Sequence, residues 1–215
     1  MDLATTTDDV EEMTPHRGRP FDASRDQALR EAALELLAEI GYDCLTIDAV
    51  AARAHASKAT IYRRWSGKAK LVVDALSCMK GSAEVPDMGS LRGDLETIAQ
   101  RSADSERQID AQVMMGLITA LSRDGELRQV FRERLIEPHK ASLRQVFERA
   151  VARGEVSEDR NLDLLVSLFP ALVIQHLLTF GEEPDVHFAE QVIHDVILPL
   201  ATAPTSTAAR SRARR

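Results

Sequence analysis

From Ser24 the apolar positions Ala28, Leu29, Ala32, Ala33, Leu36, Leu37 and Ile40 recur at three- and four-residue spacing, which places them on one face of a helix. Ser24 with Gln27 fits a capping box at the start of that helix, and Gly41 fits a left-handed stop at its end. The opposite face carries Glu31, Glu35 and Glu39, carboxylates that repel phosphate, so the helix reads as scaffold. Thr46 then caps a short helix whose inward set is Ile47, Val50, Ala51 and Ala54. Ser57 is the next capping residue, and between the two caps there is room for about two helical turns and a short connection, the helix-turn-helix arrangement. In the second helix Ile61 and Trp65 stand four apart and pack inward. That leaves Lys58, Ala59, Thr60, Tyr62, Arg63 and Arg64 toward solvent. Leu71, Val72, Ala75, Leu76 and Met79 mark a further helix leading to the rest of the chain.

Residues 81–90, GSAEVPDMGS, combine Gly, Pro, Ser and Asp and read as a linker and domain boundary. Beyond it the pattern is helix interrupted by breakers. Leu91, Leu95, Ile98 and Ala99 form one stripe, and Ile109, Val113, Met114, Leu117, Ile118 and Leu121 a second. After Gly125 a long stripe runs from Leu127 to Val151, where Pro138 should bend the helix or divide it. Leu164 to Phe180 contains no formal charge and touches the lower length limit of a membrane span. Its Ser167, Pro170, Gln175, His176 and Thr179, and acidic flanks in place of basic anchors, argue against a membrane role. A helix apolar all round is otherwise one buried on two sides. A second copy of the chain is the natural cover for it and for the last amphipathic helix, Phe188 to Leu200. Leu164, Leu168, Leu172, Gln175, Val192 and Val196 are the expected dimer contacts.

The pattern therefore predicts an all-α protein: an N-terminal three-helix helix-turn-helix domain over residues 21–80, then a C-terminal helical domain over residues 91–201. A flexible arm (1–20) and a disordered basic tail (202–215) flank them. With 215 residues and 44% hydrophobic content the chain can fill a real core. Cys44 and Cys78 show neither disulfide nor metal spacing, and the acidic start lacks the features of a signal peptide, which together point to the cytoplasm.

Charge sharpens the picture. The net charge of −7 conceals a mildly basic front, with eleven Lys or Arg against eight Asp or Glu over residues 17–80, and an acidic body, with twelve against twenty-one over residues 81–209. A polyanion would meet the front. The window from Arg53 to Lys70 holds six bases (Arg53, Lys58, Arg63, Arg64, Lys68, Lys70) and no acid. Lys and Arg neutralise phosphates, Tyr and Thr hydroxyls donate to phosphates or base edges, and Ala59 permits close approach to a thymine methyl. A solvated basic face is the plain alternative. Arg17 and Arg19 ahead of the first helix could enter a minor groove. A helical enzyme holding a phosphorylated substrate on this surface is the competing class. No glycine-rich phosphate loop, nucleophile motif or HExxH spacing supports it, and no catalytic residue, metal or cofactor is expected. A helical adaptor for an acidic partner is a third reading, and a DNA-binding protein without effector a fourth.

The run Thr46-Ile47-Asp48 through Ala54, continued by Ser57-Lys58-Ala59-Thr60-Ile61-Tyr62-Arg63-Arg64-Trp65-Ser66-Gly67-Lys68, resembles the DNA-binding domain of TetR-family transcriptional regulators. The resemblance implies that Thr46 touches the DNA backbone, that Lys58 to Arg64 lie in the major groove of double-stranded DNA, and that Tyr62 and Lys68 hold phosphates. It places Trp65 as the core aromatic. One departure is His55, where the family usually has Gly in the turn; His tolerates a positive φ at some strain. The resemblance further implies a homodimer on a palindromic operator, released by a small apolar effector bound in the body. Met114, Met115, Leu117, Phe147, Phe169, His176 and Phe180 are the candidate lining, with His176 the polar contact; Met and Phe at helical spacing also serve as plain core.

Overall fold

The computed structural model describes residues 23–80, 85–103, 111–182 and 184–203, and no strand occurs among them. Four helices form the front: α1 (Ala23–Cys44), α2 (Ile47–Arg53), α3 (Lys58–Tyr62) and α4 (Lys68–Lys80). The body follows with α5 (Leu91–Ala103), α6 (Ala111–Arg123), α7 (Gly125–Phe131) and, after a π-helical turn at Arg132–Ile136, α8 (Glu137–Ala152). Next come α9 (Leu162–Phe180), α10 (Val186–Gln191), a second π turn at Val192–Ile197 and α11 (Leu198–Thr202).

Each π turn runs into a proline at the start of the next helix, Pro138 and Pro199. Proline lacks an N–H and its ring crowds the carbonyl four residues back. Widening the preceding turn removes both conflicts. Pro138 therefore does not divide its helix: the backbone stays helical from Phe131, at φ −61°, through Glu137, at φ −63°.

Two details of α1 differ from the sequence pattern. Gln27 Nε2 donates forward to Glu31 Oε1 at 2.7 Å, and Ser24 lies inside the helix. Gly41 takes φ +73° and ψ 168°, which stops α1 as expected but starts one further turn, Tyr42 to Cys44, in a new direction. Ile40, next to that break, is 44% exposed and leaves the inward stripe.

The buried residues form two cores that do not part at the linker. One contains α1 to α4 together with Leu117 and Ala120 of α6 and Leu127 and Val130 of α7. The other joins α5, α8, α9 and α10 to α11 around Phe147, Val166 and Ile193. Helix α4 lies between α1 and α7, which is why Ala69 and Val73 are buried beyond the single stripe formed by Leu71, Val72, Ala75 and Leu76. Residues 85–90 are tied to the body: the fully buried Asp94 accepts from the Met88 amide at 2.6 Å and pairs with Arg153 at 3.3 Å.

Candidate nucleic-acid interface

The helix-turn-helix is built as the caps foretold. Thr46 Oγ1 accepts from the Ala49 amide at 3.1 Å and Ser57 Oγ from the Thr60 amide at 3.2 Å, so each short helix has a satisfied N-terminus. Between them His55 sits at φ +48°, the left-handed conformation the turn demands of the residue standing in for glycine. The Ala56 amide closes the turn on the Ala51 carbonyl at 2.8 Å.

Helix α3 spans only Lys58–Tyr62, too short to persist alone, and its orientation comes from what lies beneath it. Ile61 is completely buried and Trp65 is 6% exposed. Trp65 Nε1 donates to Asp74 Oδ2 on α4 at 3.0 Å, and Arg30 Nε on α1 donates to the same oxygen at 2.8 Å. Arg64, expected toward solvent with the DNA contacts, turns inward instead: its guanidinium pairs with Asp26 at 3.1 Å, and the two side chains are 16% and 9% exposed. A carboxylate as enclosed as Asp26 requires a cation, and Arg64, two residues past the end of α3, faces back toward α1 to supply it.

The outer surface keeps Lys58, Ala59, Tyr62 and Arg63 exposed, with Tyr62 at 55%. The Thr60 and Ser57 hydroxyls lie 2.9 Å apart, and each capping hydroxyl that accepts an amide retains an O–H to donate. Besides Arg64, two further bases of the acid-free window have found acids elsewhere. Arg53 grips Glu39 through both guanidinium nitrogens, at 2.8 and 2.7 Å, and reaches Glu35 at 3.1 Å. Hydrogen bonding to Arg53 holds the Glu39 carboxyl below its ordinary range, while Glu39 and then Glu35 raise Arg53. The acidic face of α1 thus pins α2 as well as repelling phosphate. Lys58 pairs with Asp48 of α2 at 2.6 Å, which raises its ammonium.

Lys68 lies apart from this surface. Its Nζ donates to the Tyr42 carbonyl at 2.9 Å and stands 4.1 Å from the centre of the Tyr42 ring. Tyr42 in turn donates its phenol to Asp124 Oδ2 at 3.1 Å, and Asp124 Oδ1 caps α7 by accepting from the Leu127 amide at 2.9 Å. Burial first and Asp124 second push the Tyr42 phenol up; the Leu127 amide foremost, with Tyr42, holds Asp124 down despite partial burial. Lys68 is thus part of the joint between front and body. Asp26, Asp48, Asp74 and Asp124 carry these contacts and were passed over in the sequence, where lone acids give no sign of the cation they meet. Arg17 and Arg19 lie outside the described residues.

The expected effector lining divides between the two cores. Leu117 belongs to the first core and Phe147 to the second, both essentially unexposed. Met114 packs against the first core and Phe169 against the second, Met115 is half-buried, and His176 lies between Phe180 and Phe188 at ring distances of 4.7 and 4.5 Å. Two clefts open elsewhere. One of about 140 Å³ lies between α1 and α4, beside Leu34, Ala75 and Met79, and one of about 170 Å³ lies between α1 and α6, beside Gly41, Tyr42 and Val113. Of the expected dimer contacts, Leu164 and Gln175 are exposed and Leu168, Leu172 and Val196 half-buried. Val192 is only 5% exposed, drawn into its own chain's core by the widened π turn that it begins.

Residues 29–75 match the family model described as bacterial regulatory proteins, tetR family, and residues 85–196 match the tetracyclin repressor-like C-terminal domain. The chain is 37% identical over 179 residues to the DNA-binding transcriptional repressor TetR of Mycobacteroides abscessus, covering 82% of this chain and 94% of that protein. It is 36% identical over 192 residues to an HTH-type transcriptional regulator of Mycobacterium bovis, covering 87% and 95%. Its fold is similar to that of the regulator FadR from Bacillus subtilis, solved in complex with stearoyl-CoA, with a TM-score of 0.60 at 17% identity over 83% of this chain and 98% of that one. With a helix-turn-helix front matching one model and a helical body matching the other, the chain belongs to the TetR family of DNA-binding transcriptional regulators.

Proposed function

We propose that this chain is a homodimeric repressor that holds a palindromic operator and is released by a small apolar effector. The observation that carries the DNA contact is the pairing of a locked support with an open outer surface. Ile61, Trp65 and Arg64 are anchored beneath α3, while Tyr62 and Arg63 project from it, and Arg63 has no ion-pair partner among the described residues. Tyr62, Thr60 and the caps Thr46 and Ser57 meet phosphates, and Lys58, Ala59 and Arg63 meet base edges. Lys68, whose ammonium keeps two donors beyond its bond to the Tyr42 carbonyl, holds a further phosphate.

The dimer rests on α9. Leu164, Leu168, Ala171, Gln175 and Leu178 follow a four-three-four-three spacing along one side of that helix, and Leu164 and Leu178 are 60% and 53% exposed. A second copy covering this face pairs two reading heads and requires a two-fold operator. By length and composition α9, at a mean hydropathy of 1.7, is long and apolar enough to cross a membrane. Its packing on α8 and its Gln175 and His176 favour the dimer instead. Release needs an effector that prefers one spacing of the heads. Support for repression comes from the name of the M. abscessus relative, and for an apolar effector from the acyl ligand of the B. subtilis regulator.

A gel-shift titration with DNA from upstream of the protein's own gene tests the proposal. A specific complex should form at moderate salt, weaken for every sequence in Tyr62→Phe, and change base preference in Arg63→Ala. Binding that is equally strong on unrelated DNA would overturn it.

A further inference from the structure

Asp48 is a carboxylate placed among the bases of the helix-turn-helix surface. It stands in the first turn of α2, and its Oδ1 lies 2.6 Å from Nζ of Lys58, the first residue of α3. Both side chains stay open to water, at 64% and 57% exposure, and an ion pair so exposed adds little to folding stability. Its position is more telling. The N-terminal residues of a recognition helix are those that meet base edges in the major groove.

The pair presents a donor and an acceptor side by side. A G·C base pair offers the complement in its major groove: guanine N7 and O6 accept, and cytosine N4 beside them donates. O6 and N4 are joined by a Watson–Crick hydrogen bond and so lie about 2.9 Å apart. That matches the 2.6 Å between the Lys58 ammonium and the Asp48 carboxylate. A T·A pair in the same place also offers an adjacent acceptor and donor, thymine O4 and adenine N6, but fails on both flanks. A methyl group replaces the second acceptor that would bridge the ammonium, and adenine N7 places a lone pair against the carboxylate.

We propose that Asp48 and Lys58 read one G·C base pair in each half-site as a unit, the ammonium donating to guanine and the carboxylate accepting from cytosine. The proposal rests on the DNA-binding reading above and adds the base pair it recognises. Asp48 has a second effect in the same geometry. By engaging Lys58 it keeps that ammonium from nonspecific phosphates, so its removal raises affinity for unrelated DNA while selectivity falls.

The test selects duplexes from a randomised library of about 20 base pairs, long enough for two half-sites one helical turn apart, using full-length wild type, Asp48→Ala and Asp48→Asn. Fluorescence anisotropy then compares the enriched duplex with one carrying T·A at the assigned position. Wild type should prefer G·C at least about ten-fold. Asp48→Ala should lose most of that preference, Asp48→Asn, which keeps an acceptor oxygen, should retain part of it, and Asp48→Ala combined with Lys58→Ala should lose no more than Asp48→Ala alone. Thermal melts matching wild type establish that all variants are folded. If Asp48→Ala enriches the same base pairs with unchanged preferences, the G·C assignment is wrong while the DNA-binding reading stands. If wild type binds DNA but enriches no sequence, the operator reading fails and this assignment with it.

Discussion

In the front of the molecule the large inward side chains find cover within the chain itself: Leu29, Val50, Ile61, Leu71 and Leu76 are fully buried, and the carboxylates Asp26 and Asp74 among them are paired. On α9 the opposite holds. Leu164, Ile174, Leu178 and Phe180 remain 60%, 43%, 53% and 63% exposed on a helix with no formal charge from Leu164 onward. The front therefore carries its geometry within one chain, whereas α9 has a face for which one chain supplies no cover. A regulator that reads a two-fold site needs both properties. The reader must be rigid, and the distance between readers must be set by an association.

The strongest way to break this contrast is to remove the support of the front. Trp65→Ala deletes a buried indole and its bond to Asp74, and should cost ~3–5 kcal/mol in urea unfolding. A loss below ~1 kcal/mol would mean that the front is not held from within. On the other side, Leu178→Asp should leave the protomer folded and weaken the proposed dimer by about 3 kcal/mol, since two-fold symmetry introduces a change of at least ~1.5 kcal/mol twice. Sedimentation that shows wild type and variant in the same state sinks the assignment of α9 as the interface.

The joint between the regions is a smaller lever. Asp124→Ala removes the cap of α7 and the acceptor of Tyr42, and should cost ~1 kcal/mol in thermal unfolding. Because the folded state holds the Asp124 carboxyl below its usual range, its contribution is fully present above the unfolded value near pH ~3.9. It fades as pH falls through the lower folded value, so the gap between wild type and Asp124→Ala should close in acid. A gap that widens there contradicts the assignment. Smallest of all, Glu39→Gln should leave the melting temperature almost unchanged while loosening Arg53. The salt dependence of DNA binding should then steepen by up to about one phosphate contact, and an unchanged slope would show that Arg53 never reaches the backbone.

Much of the front was legible because its signals are local. A capping hydroxyl acts on an amide three residues on, and a buried stripe repeats within one helix, so Thr46, Ser57, Ile61 and Trp65 needed no tertiary knowledge. His55 at φ +48° was legible as well, from the glycine that the resembling family usually has in this turn. Arg64 was not. A helical wheel places it outward, and only the arrival of Asp26 from the far end of α1 draws it in. The contacts of Lys68 with Tyr42 were not legible either, because the carbonyl and ring that meet it belong to a turn 26 residues earlier.

By itself the sequence determined the run of helices, the caps Thr46 and Ser57, the helix-turn-helix and the family, since periodicity, capping and motif spacing depend on neighbours along the chain. Which cations remain available for a polyanion was decided only in three dimensions. Six bases stand in an acid-free window of the sequence, yet Arg53, Lys58 and Arg64 each meet a carboxylate from α1 or α2. Ion pairing acts over a few ångströms whatever the separation along the chain, so a window free of acids in sequence is not free of them in space.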